Sequence, residues 1–90
     1  MQAAMAKVTI QNRLGLHARP AMSFVDTANG FISEIRVCKS TKTVDGKSIM
    51  QLMMLAATEG SELQISAEGP DADEAVLALA GLVQRSFDEE

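Results

Sequence analysis

Apolar and polar residues alternate through Ala6, Val8 and Ile10, the period-2 pattern of a strand with one buried face. The pattern predicts a first strand that begins only after Met5 and stops near Asn12. Beyond a glycine-containing loop over 13–17, Ala18, Ala21, Met22, Val25 and Ala28 fall on one face of a helix that Asn29-Gly30 ends. Pro20 suits the first turn of this helix, where its missing amide would have no intrahelical acceptor. Ile35 and Val37 alternate with Glu34 and Arg36 in a second strand, and a turn at Ser40-Thr41-Lys42 leads into a short third strand ending at Val44. Asp45-Gly46 breaks it, residues 48–57 favour helix, and Leu63, Ile65 and Ala67 mark a fourth strand closed by Gly69-Pro70. In the last helix Asp71 reads as the N-cap with Glu74 three residues on. Ala72, Ala75, Val76, Leu79, Leu82 and Val83 then share a face as far as about Phe87.

The order β-α-β-β-α-β-α predicts an α+β fold, an open-faced two-layer sandwich with a four-stranded, mainly antiparallel sheet and three helices on one face. Residues 1–90 read as one domain with no repeat or linker. So short a chain has little material to wall off a deep pocket, which places any chemistry near the surface. A net charge of -4, with three Phe and no Trp or Tyr, argues against a nucleic-acid binder, which needs a basic stripe or stacking platforms. No run approaches the roughly 20 apolar residues of a membrane span, and residues 1–6 lack the apolar stretch of a signal peptide. Met1 and Met5 serve equally well as a translation start. The lone Cys38 has no disulfide or metal-ligand companion and reads as a free thiol in or beside a strand, which fits a reducing, cytoplasmic compartment. No metal site, nucleotide loop or catalytic triad is visible, so no cofactor and no unaided turnover are expected.

The single histidine, His17, stands where the loop meets the first helix. Unpaired amides at a helix start point outward with partial positive charge, so an anion held on His17 would find donors and a favourable dipole there. Arg19 adds a full charge and a fork that binds phosphate oxygens bidentately. Neutral imidazole is a nucleophile near neutral pH, and its phosphoramidate gives the phosphoryl group up readily.

The run Leu14-Gly15-Leu16-His17-Ala18-Arg19-Pro20-Ala21 resembles the phosphorylation-site motif of the HPr family, the phosphocarriers of the bacterial phosphoenolpyruvate-dependent phosphotransferase system. The likeness extends from about Lys7 to Phe87 and includes the order of elements. It implies that His17 carries the phosphoryl group on Nδ1, with Arg19 beside it. It implies enzyme I as donor and IIA domains of sugar permeases as acceptors, with the chain acting as a monomer.

Between Ile49 and Ala57 only Gln51 is polar, and a helix apolar almost all round has no third layer to cover it in a domain of this size. Leu52, Leu55 and Ala56 form an inward stripe, which leaves Ile49, Met50 and Met53 as an apolar docking patch. Ser48 is placed to cap this helix. The segment is similar to the regulatory-serine region of the HPr family, which implies phosphorylation of Ser48 by an HPr serine kinase/phosphorylase. Added charge at a helix start is locally tolerated, with Lys47 adjacent, and would oppose docking on the neighbouring apolar patch.

Residues 44–50 are similar to the sugar-system members, whereas Phe87-Asp88-Glu89-Glu90 resembles the tail of the nitrogen-related paralogue NPr and reads as an exposed charged end. The alternative to the relay is therefore a regulatory binding protein of the NPr-like branch, acting by docking or serine phosphorylation. A small-ligand sensor on the open sheet face has no supporting cluster of polar strand residues.

Overall fold

The computed structural model describes residues 2–89. The first strand, β1, spans Ala3–Thr9, and its even-numbered positions turn inward from half-buried Ala4 and Ala6 to buried Val8. It begins at Ala3 rather than after Met5, because Ala3, Ala4 and Met5 pair with Glu68, Ala67 and Ser66. A small residue such as Ala4 gives the alternation little contrast, which is why the sequence pattern under-reads this end.

Helix α1 covers Ala18–Ala28 with His17 as N-cap. Its buried face is Pro20, Ala21, Phe24, Val25 and Ala28, so Ala18 and Met22, expected on that face, instead point to solvent. The stripe at 21, 24, 25 and 28 has the i, i+3, i+4, i+7 spacing of one helix face, and the large Phe24 centres it on the core. Strand β2, Glu34–Lys39, is joined to β3, Lys42–Asp45, by a tight turn in which Ser40 adopts φ 55°.

Helix α2 runs only from Ile49 to Met54, shorter than the expected 48–57. The carbonyls at its end and just beyond are bonded by lysines: Lys42 Nζ donates to Met54 O at 2.9 Å, and Lys39 Nζ donates to Leu55 O and Ala56 O at 3.1 and 3.2 Å. Ala56 then turns to φ 52° and is exposed, so the inward residues are Leu52, Leu55 and Ala57 rather than Ala56.

Strand β4, Glu62–Glu68, buries Leu63, Ile65 and Ala67. Helix α3, Ala72–Gln84, buries the six residues that its periodicity marks. Asp71 flanks it but makes no side-chain cap. Its carboxylate instead reaches back to the segment before β2, where it accepts from Ile32 N and Ser33 N at 2.9 Å each and from Ser33 Oγ at 2.5 Å. The expected capping box with Glu74 is thus replaced by a long-range staple. The helix also stops short of Phe87, giving way to a final turn at Ser86–Asp88 in which Ser86, Phe87 and Asp88 have φ between 56° and 59°.

The strands form one antiparallel sheet in the order β1-β4-β2-β3. The register aligns Val8 with Leu63, Val37 with both Ile65 and Val44, and Ile35 with Ala67, so all inward side chains fall on one face. That face meets the buried residues of the three helices in one core that includes Phe24, Leu52, Leu79 and Phe87. The opposite face, with Lys7, Glu34, Arg36 and Glu68, stays open to water, and Cys38 is partly covered there, its thiol within 3.2 Å of Ser40 O. The architecture is the open-faced α+β sandwich that the element order predicts. Among the described residues no helix is long and apolar enough to cross a membrane, and no group of His, Cys, Asp and Glu has the arrangement of a metal site.

Candidate functional site

The loop before α1 is fixed by its own backbone. Gly15 takes φ 71°, and a Cβ there would stand 2.3 Å from Ala57 O, so only glycine fits. Leu16 is buried and donates its amide to Ala57 O at 2.9 Å. Together these contacts clamp the histidine loop against the segment that leaves α2.

His17 follows as the N-cap of α1 in extended conformation (φ -85°, ψ -169°), its carbonyl accepting the Ala21 amide at 3.0 Å. It makes no side-chain cap, so the imidazole is free of the usual N-cap hydrogen bond. The ring is about one-third exposed (36%) in an open groove lined by Asn12, Arg13, Leu14, His17, Arg19 and Glu89. The expected pair, His17 and Arg19, is brought together here at the positive end of a helix, with Arg13 adding a second cationic side chain to the lining.

Two members of this groove were not apparent as site residues in the sequence. Glu89 Oε1 lies 3.2 Å from His17 Nε2, and Asn12 Nδ2 donates to the same oxygen at 3.1 Å and to Gly15 O at 2.7 Å. Asn12 is almost fully buried, and its Oδ1 has no protein partner among the described residues. The acidic tail is therefore not merely an exposed charged end. Phe87 is buried and packs the final turn near α1, the Glu89 amide donates to Ser86 O at 2.9 Å, and this holds the carboxylate over the imidazole. Seventy-two residues separate Glu89 from His17, so no local spacing announces the contact.

The second expected site lies on α2. Ser48 is its N-cap, with Oγ accepting from Gln51 N at 3.2 Å. Lys47, adjacent in sequence, sends its ammonium away to Phe31 O at 2.8 Å. Ile49, Met50 and Met53 are exposed as the pattern predicts, Met50 at 76% of its surface, and Met54 extends the patch. Leu14, on the histidine loop, is also exposed.

A family model for the phosphorylation site of the HPr component of the phosphotransferase system matches residues 4–85. The chain belongs to the HPr family. Among its relatives, the phosphocarrier protein HPr of Pseudomonas aeruginosa is 48% identical over 92% of this chain and 93% of that protein. The fold agrees with a crystal structure of HPr from Thermoanaerobacter tengcongensis at a TM-score of 0.92 and 46% identity, covering 97% of this chain and 98% of that one. It is also similar to the Bacillus subtilis catabolite-repression protein Crh, solved as a domain-swapped dimer, at a TM-score of 0.75 and 45% identity over 89% of this chain and 92% of that one. The HPr family is thus represented among its likenesses by both a phosphocarrier and a catabolite-repression protein, and by a dimer that bears on the expected monomeric state.

Proposed function

We propose that His17 accepts a phosphoryl group on Nδ1 from phosphorylated enzyme I and passes it to IIA domains of sugar permeases, in the cytoplasm and as a monomer. The observation that carries this is the part-exposed imidazole at the start of α1, in an open groove shared with Arg19. The Nδ1 lone pair forms the new N–P bond as the donor's bond to phosphorus breaks, and the donor atom keeps that electron pair. Outward-pointing amides at the helix start and the Arg19 guanidinium are suited to bind the three phosphoryl oxygens in both the loaded carrier and the transition state. An open groove suits a relay, because donor and acceptor must each reach the same nitrogen. Ile49, Met50 and Met53 supply an apolar surface on which both partners dock.

A second role, regulatory docking as in the NPr-like branch, is favoured by one observation. Ser48 sits at the edge of the exposed apolar patch. A dianion placed there by a serine kinase/phosphorylase would repel an acidic or apolar partner surface.

The test is incubation with phosphoenolpyruvate and a general enzyme I, followed by phosphorus NMR and acid treatment. An acid-labile phosphohistidine that is lost in His17→Ala supports the relay. No phosphorylation with a demonstrably active enzyme I overturns it.

A further inference from the structure

We infer that Glu89, held by Asn12, is a positioning residue that fixes the tautomer of His17 and so selects Nδ1 as its nucleophilic nitrogen. The inference rests on the relay reading for its rate consequence, but its structural claim stands apart from it.

A carboxylate accepts hydrogen bonds and donates none. With Glu89 Oε1 at 3.2 Å from Nε2, a neutral imidazole keeps its proton on Nε2 to make that bond, which leaves Nδ1 with a free lone pair. The carboxylate is itself oriented, because Asn12 Nδ2 donates to the same oxygen. Asn12 is in turn fixed by burial and by its 2.7 Å bond to Gly15 O in the rigid histidine loop. Donation to two acceptors also sets which way the amide faces, since its oxygen could satisfy neither. The side chains form a chain from buried amide to carboxylate to imidazole, the logic by which a carboxylate orients the histidine of a hydrolase triad.

The same arrangement serves the loaded state. When Nδ1 attacks phosphorus no proton leaves it, and the Nε2 proton stays on the ring, so the ring becomes cationic. Glu89 faces that proton and stabilises the charge through a hydrogen bond that is charge-assisted at both ends. The final turn, with three successive residues at positive φ and Phe87 buried, is what brings the carboxylate to Nε2.

Because the chain has one histidine, long-range proton–nitrogen spectra of protein labelled with nitrogen-15 report this ring alone. At a pH where the ring is neutral, wild type is expected to be in the Nε2–H form. Glu89→Ala should move it toward the mixture of free imidazole, and Glu89→Gln, whose amide oxygen still accepts, should restore the Nε2–H form. Phosphoryl acceptance by Glu89→Ala should slow roughly tenfold at unchanged KM for the donor, comparable to the smaller losses seen when an imidazole loses its orienting partner. Identical tautomer populations in wild type and Glu89→Ala overturn the inference, whatever the rates. Failure of wild type to take phosphate at all counts against the relay alone, since the tautomer spectra still decide the role of Glu89.

Discussion

Arg19 lies at the mouth of the His17 groove and is exposed, so its removal touches charge rather than packing. Arg19→Ala should slow phosphoryl acceptance about ten- to a hundredfold, the equivalent of a charge-assisted hydrogen bond worth about 1.5–3 kcal/mol. The rate of growth of the phosphoramidate signal measures it, and an unchanged rate would remove Arg19 from the site. Gly15 makes the opposite kind of prediction. Gly15→Ala forces an L side chain into φ 71° against Ala57 O and should lower stability by at least about 2 kcal/mol in chemical denaturation. His17 and Arg19 stand together in the chain as they do in the groove because the loop and helix start are contiguous, whereas the need for glycine at 15 comes from Ala57 O across the fold. Asn12 and Glu89 are not legible as a pair in the chain, since they meet 77 positions apart and only through the folded tail.

Among the elements, strong periodicity predicts the buried faces of β4 and α3, but not where α3 ends or how it is capped. The differences have separate causes: small Ala4 weakens the alternation that marks the start of β1, Phe24 sets which face of α1 is buried, and elsewhere side chains distant in sequence take groups that local spacing assigns within the element. Lysines of β2 and β3 bond the carbonyls where α2 stops and Ala56 turns to positive φ, and Ser33 bonds the carboxylate that sequence spacing gives to a helix cap. The α2 patch itself was legible, because an apolar helix in a two-layer fold must leave some of its surface uncovered. Met50→Lys should weaken binding of a IIA domain at least tenfold while leaving the thermal midpoint within a degree or two, because the side chain is mostly exposed and touches little of the core. Titration calorimetry with one IIA domain distinguishes the outcomes, and equal affinity would place docking elsewhere.

Across the whole molecule, Asp71 ties α3 to the segment entering β2. The Ser33 hydroxyl, then the Ile32 and Ser33 amides, hold its carboxyl below the ordinary aspartate value of 3.8 by bonding the charged form. A lowered folded-state value means that the staple stabilises above pH 3.8 and loses that contribution as pH falls through the lowered value. Asp71→Asn should therefore flatten the acid limb of a stability–pH profile below about pH 4, and a wild-type limb in the variant would discount the staple. In this chain all seven residues of β1 pair with β4 of the same copy, but a strand exchange would reuse those same pairs. Sedimentation over a wide concentration range is expected to give a single 9.6 kDa species, and a concentration-dependent dimer would overturn the monomeric reading.

The clamp between Gly15, Leu16 and Ala57 has a further consequence for anyone seeking to redirect this carrier. The loop that carries His17 rests on Ala57, three residues past the end of α2, so a change in the segment that leaves the proposed docking helix reaches the histidine loop through one carbonyl. Under the proposed relay, a graft that ends at Met54 and keeps Ala57 should leave the His17 loop seated, whereas one that displaces Ala57 should unseat it.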